Sequence, residues 1–132
     1  MSGMEKKFSR FLVEKLRTAG WMVQPIESTE TACGIPDLYL CKEGRSLWME
    51  LKVVPVAWPT KQRLPFRPGQ YGWLHSHEAH GGRSVVGVKC MNGFVFAHCS
   101  DVDKEFFNVI NKSSICFMSI LNLTLLERWL LN

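Results

Sequence analysis

The sequence predicts an α/β fold, and three observations carry that expectation. An amphipathic helix opens the chain over about residues 4–19, with Phe8, Phe11, Leu12 and Leu16 on one stripe and Gly20 as its stop signal. Two β-hairpins follow, one turning at Lys42-Glu43-Gly44-Arg45 and one at Met91-Asn92-Gly93. Between them lies a second helix, opened by Arg67-Pro68-Gly69-Gln70 and stopped by Gly81-Gly82. At 132 residues the chain has room for one domain with its own core.

Taken in order, the first helix carries two acids in different settings. Glu5 shares the side of Phe8, Leu12 and Leu16, where an acid needs either a partner or first-turn placement at the positive end of the helix dipole. Glu14 lies nearly opposite, on a solvated side. Residues 21–26 read as a short strand interrupted by Pro25, and the polar run 27–33 as a loop ending at Gly34, which allows an unusual turn beside Asp37. After the first hairpin, residues 53–66 hold Pro55, Pro59 and Pro65, which forbid regular structure. In the second helix Pro68 is expected near the first position, where its missing N–H costs nothing, and the helix runs to about His80. Gln70, Trp73, Leu74 and His77 share its inward face, and a Gln there is expensive unless its amide is used. Strands over 84–90 and 94–98, a helix over 101–111 capped by Ser100, and a short strand with a final helix around Leu125, Leu126, Trp129 and Leu130 complete the chain.

Bulk properties narrow the class. A hydrophobic fraction of 46% with 21% charged residues is that of a soluble globular protein. Sixteen Lys and Arg against twelve Asp and Glu leave +4, with pI near 8.9, which permits a nucleic-acid partner and equally describes a solvated surface. Cysteines 33, 41, 90, 99 and 116 form no Cys-x-x-Cys pair and read as reduced thiols of a cytoplasmic protein. The longest apolar stretch, residues 115–126, is broken by Ser119, Asn122 and Thr124 and is too short to span a bilayer. His75, His77 and His80 are weighed as zinc ligands against ordinary surface or core histidines, which their spacing favours.

The chemistry converges on the first hairpin. Glu50 and Lys52, two apart on one strand, point to one face, while Met49 and Leu51 point to the other. Asp37 begins the partner strand, so two carboxylates and an ammonium are expected together at a sheet edge. Such groups are costly to bury without a metal or a reaction to serve. Their hard oxygens suit Mg²⁺ or Mn²⁺, with the Leu51 backbone carbonyl and Glu5 as further ligands. Lys52 is placed to orient or deprotonate a water, or to contact a phosphate. The alternative is a surface salt bridge. Lys61, Arg63 and Arg67 form a basic segment suited to phosphates, or a solvated connector; Trp58 and Phe66 in the same region are weighed as base-stacking residues against plain packing.

Pro36-Asp37 with Glu50-Leu51-Lys52 resembles the Pro-Asp…(Asp/Glu)-x-Lys signature of the PD-(D/E)XK nuclease superfamily. Gly34-x-Pro36-Asp37-Leu38, then Arg67-Pro68-Gly69-Gln70-x-x-Trp73-Leu74, then Gly81-Gly82 and an apolar strand resemble its VRR-NUC branch and the archaeal-type Holliday-junction resolvases. The resemblance covers about residues 5–98; residues 100–132 lie outside it, and the Val-Arg-Arg triplet of the VRR-NUC name is missing. It implies a restriction-endonuclease-like αβββαβ core: a central mixed β-sheet with helices on both faces. It implies Asp37 and Glu50 as metal ligands, Lys52 as the catalytic lysine, Gln70 as the glutamine that orders the site, and Glu5 as the first-helix acid. The activity implied is Mg²⁺-dependent cleavage of branched DNA by a homodimer, with apolar residues of 100–132 at its interface. The alternatives are a flap, nick or restriction-like endonuclease, a catalytically inactive DNA-binding module of the same fold, and a protein-interaction domain.

Overall fold

The computed structural model describes residues 3–27, 34–59, 63–102 and 114–132. In chain order the elements are α1 (Gly3–Thr18), β1 (Met22–Pro25), β2 (Leu38–Lys42), β3 (Arg45–Val53), α2 (Gln70–Ala79), β4 (Ser84–Cys90), β5 (Gly93–His98), a 3₁₀ turn (Cys99–Asp101), β6 (Ile115–Met118) and α3 (Leu123–Leu131). The strands form one six-stranded sheet in the order β1-β2-β3-β4-β5-β6. Every neighbouring pair is antiparallel except β3–β4, which is parallel because α2 crosses between them.

Helices cover both faces. On one, Phe8, Leu12 and Leu16 of α1 and Leu126 and Leu130 of α3 pack with Leu38, Leu40, Leu47, Met49, Leu51 and Phe96 of the sheet. On the other, Leu74 of α2 joins Val86, Val88, Val95 and Leu64. The period-2 pleat thus sends odd-numbered residues of β3 to the α1 side and even-numbered ones to the α2 side. Residues 114–132 are built into this fold: β6 extends the sheet through Phe94↔Phe117, and α3 buries its apolar stripe beside α1.

Local chemistry explains the boundaries. The helix α1 ends in a Schellman arrangement, with Gly20 at φ +94 and Trp21 N–H donating to the Leu16 carbonyl at 3.0 Å. Glu43 and Gly44, both at positive φ, make the two-residue turn between β2 and β3. The expected strand over 21–26 is shorter, and Pro25 is tolerated because β1 is an edge strand. The helix α2 begins later than expected, at Gln70. Gly69 is left-handed (φ +88), so Pro68 precedes the helix rather than opening it. The second hairpin turns at Met91-Asn92, with Gly93 already paired to Cys90. There the Asn92 side chain clamps the proline-rich segment, accepting from Trp58 N–H at 2.8 Å and donating to the Trp58 carbonyl at 2.7 Å. The helix expected over 101–111 falls mostly outside the described residues, and Ser100 sits within the 3₁₀ turn rather than capping a helix.

Candidate active site

The strand β3 is internal, hydrogen-bonded to β2 on one side and β4 on the other, so the charged cluster is not on an edge strand as expected. The register explains how it still opens to solvent. Pairing with β2 runs only from Lys42↔Arg45 to Leu38↔Met49, whereas pairing with β4 continues to Val53↔Lys89. Residues 50–53 therefore have no β2 partner. Into that gap turns Asp37, whose Oδ2 accepts from Leu51 N–H at 2.8 Å, replacing the missing ladder bond. On an extended strand the N–H and C=O of one residue point toward the same neighbour, so the Leu51 carbonyl faces Asp37 as well.

Glu50 and Lys52 point to the α2 face and are each 1% exposed. Lys52 Nζ lies 3.1 Å from Glu50 Oε2 and donates to Gln70 Oε1 at 2.8 Å, with the Phe66 ring centroid 5.5 Å away. Gln70 Oε1 also accepts from Arg67 N–H at 2.7 Å, so one side-chain oxygen ties the catalytic-lysine candidate to the segment entering α2. This is the use of the amide that a buried Gln demands. Gly34 brings the two halves together: at φ +86 it lies against the Gly69 carbonyl, which a Cβ would meet at 2.5 Å.

Glu50 is the poorly satisfied member of the cluster. Its ion-pair contact with Lys52 lacks hydrogen-bond geometry, and neither oxygen has a hydrogen-bond partner among the described residues. Burial first, then repulsion from Asp37, push its carboxyl up to about 8, against a smaller opposing pull from Lys52. Two hard carboxylates, one of them buried without a hydrogen-bond partner, with a carbonyl facing the same gap, fit a divalent cation that would favour the ionised form. Among the described residues no three His, Cys, Asp or Glu side chains gather closely enough to hold a metal, so Glu5 does not join Asp37 and Glu50 as a third acidic ligand. It lies half-buried in the first turn of α1.

Arg63 and Arg67 are exposed on the segment before α2, and Lys61 lies outside the described residues. Phe66 packs edge-on to Tyr71, with centroids 5.6 Å apart, and caps Lys52. His77 hydrogen-bonds Ser84 Oγ through Nδ1 at 2.7 Å and stacks on Trp73, a packing role. One set of residues escaped the sequence reading. Lys6, Ser9 and Arg10 of α1 line a cleft of about 540 Å³ together with Pro25, Ile26, Glu27 and Asp37. Their i, i+3, i+4 spacing was legible, but nothing in the sequence said which element that helix flank would face.

No family model matches the chain, and no curated protein matches it in sequence. Among solved structures it is similar to Hjc of Archaeoglobus fulgidus, a Holliday junction resolvase from an archaeal hyperthermophile. The TM-score is 0.57 at 15% identity, over 86% of this chain and 87% of that one. The fold is shared with a Holliday junction resolvase. The likeness extends past residues 5–98, since 86% coverage must include part of 100–132. No helix among the described residues is long and apolar enough to cross a membrane.

Proposed function

We propose that the chain is a metal-dependent, structure-specific DNA endonuclease that hydrolyses phosphodiester bonds in branched DNA, with the four-way junction as its preferred substrate. The observation that carries this reading is the buried Asp37–Glu50–Lys52 cluster at the open end of β3, held in a resolvase-like fold. An inert fold has no reason to retain a carboxyl as poorly satisfied as that of Glu50. Asp37, Glu50 and the Leu51 carbonyl would hold Mg²⁺ or Mn²⁺. Such an ion supplies charge neutralisation at the phosphoryl oxygens and a more acidic bound water.

The chain's own residues do the rest. Gln70 aims Lys52, whose Nζ pairs with Glu50, and that ammonium orients the attacking water or a phosphate oxygen. Phe66 shields it from bulk solvent, and the Leu51 N–H keeps Asp37 turned into the gap. Arg63 and Arg67 bind flanking phosphates from the α2 side, and Lys61 of the same basic segment is a further phosphate contact. Paired cuts across a junction call for a symmetric homodimer. Because Leu126 and Leu130 are buried inside the fold, its interface would draw on the exposed Met118, Ile120 and Leu125. A VRR-NUC-type flap or nick nuclease is the nearest variant of the reading.

Incubating the protein with Mg²⁺ or Mn²⁺ and labelled four-way junction, flap and linear duplex tests it. Symmetric nicks in the junction, lost in Asp37→Ala with binding retained, are expected. Cleavage of none of the three substrates by the wild type would remove the enzyme reading.

A further inference from the structure

We infer that Lys6 and Arg10 of α1 form a second phosphate-binding rim, so that the cleaved strand crosses the end of the sheet between α1 and the 63–67 segment. This rests on the nuclease reading above and names how that site takes its substrate. Asp37 marks the end of the sheet and lines both settings: its Oδ2 is bonded to Leu51, and its residue forms a wall of the cleft bordered by Lys6, Ser9 and Arg10. Glu50 and Lys52 sit on the α2 face, and α1 covers the other, so the cleft approaches the carboxylates from the layer opposite Arg63 and Arg67.

The charges at the cleft are poised for an outside partner. Lys6 and Arg10 are exposed, and neither enters a hydrogen bond or ion pair among the described residues. Lys42, Arg17 and Arg83 are by contrast engaged, with Glu127, the Val23 carbonyl and the Leu130 and Trp129 carbonyls, while Lys7 and Arg128 are as open as Lys6 and Arg10 but do not border Asp37. Glu27 and Asp37 share the cleft with the two cations. A polyanion brought to a pair of carboxylates is repelled unless cations flank the approach, and one rim alone leaves the strand free to swing away from the site. Lys6 and Arg10 are one helical turn apart, roughly 5–6 Å between Cβ atoms, a spacing at which two long side chains reach neighbouring phosphates of one strand. The contact is to backbone and therefore positions the strand without reading sequence.

The test uses Lys6→Ala/Arg10→Ala, with Arg128→Ala on α3 as a single-charge control away from the cleft. Binding to a labelled four-way junction is measured by anisotropy in EDTA across a KCl series, and cleavage in Mg²⁺ by steady-state kinetics. The double variant is expected to bind about tenfold or more weakly, with the slope of log Kd against log salt reduced by about 2, KM raised and kcat within about twofold. Arg128→Ala is expected to match the wild type. Both side chains are exposed, so melting should be unchanged; if it is not, Lys6→Arg/Arg10→Lys, which keeps the charge, must restore the wild-type slope. A wild type that binds and cuts DNA while the double variant keeps its slope and KM overturns the rim and leaves the nuclease reading standing. So does a variant that loses kcat with KM unchanged. A wild type that neither binds nor cuts overturns the nuclease reading, and the rim with it.

Discussion

Replacing Glu50 by Gln keeps the shape of the side chain and removes the ionisation that its site resists. In the folded protein the Glu50 carboxyl is raised from 4.5 to about 8, chiefly by burial and secondarily by Asp37. The native state therefore binds the proton more tightly than the unfolded chain does. The associated stability is fully present below pH 4.5 and is lost as the pH rises toward 8. At about 1.36 kcal/mol per pH unit, the metal-free wild type should lose about 3–4 kcal/mol relative to Glu50→Gln between pH 5 and pH 8. The comparison with the variant cancels the other titrating groups, His98 among them, whose burial lowers its pKa. Urea unfolding in EDTA at half-unit pH intervals reads the difference directly. Saturating Mn²⁺ should then restore the wild type at pH 8 by about 2.7 kcal/mol at a hundred times Kd, and leave the variant unmoved. Parallel profiles for the two proteins from pH 5 to pH 8 would refute the reasoning, because Glu50 would then ionise without cost and nothing in its setting would call for a cation.

Asp37→Asn removes the charge that repels Glu50, so the wild-type loss of stability toward pH 8 should shrink while cleavage falls by about 10³-fold or more; the same urea series and a junction-cleavage assay check both. Gln70→Leu leaves Lys52 Nζ and Arg67 N–H without their shared acceptor and should cost about 1–3 kcal/mol in unfolding free energy, with kcat lowered more than KM is raised. Gly34→Ala places a Cβ 2.5 Å from the Gly69 carbonyl at a φ of +86, so melting should drop by the equivalent of about 1–3 kcal/mol, and activity should fall with it as Asp37 and Gln70 are pushed apart.

How much of this was legible in the sequence depended on whether local chemistry or long-range pairing decided the feature. The β2–β3 hairpin was legible because Gly44 and a polar turn sit between two alternating runs, and alternation alone put Glu50 and Lys52 on one face. Gln70 was legible as an amide out of place on an inward face, and its two hydrogen bonds are the reason. The parallel pairing of β3 with β4 was not, since no turn residue encodes a crossover and the partner strand lies beyond a whole helix. The same blindness hid the role of Lys6 and Arg10, which depends on α1 crossing near Asp37, and although a short strand and a final helix were legible near the end of the chain, nothing local said that they close the sheet and the α1-side core.

The expected edge placement of the charges and the observed internal strand reconcile in the register. A strand buried on both sides offers its polar groups to no ligand, because every N–H and C=O is taken by a neighbour. An edge strand offers them all, and invites pairing with other chains. Here β2 begins at Leu38, opposite Met49, and β3 runs four residues further along β4. The strand is thus internal where it needs rigidity and an edge only at 50–53, where the Leu51 amide and carbonyl face Asp37. That arrangement makes the position of Asp37 a consequence of where β2 starts, and Gly34 is what lets the chain enter β2 at that point against Gly69. A one-residue slip of β2 along β3 would move its apolar set off the α1-side core and would also close or widen the gap at Leu51. Packing and chemistry are therefore held by the same register, and a substitution that weakens the site by loosening β2, as Gly34→Ala should, cannot spare the core.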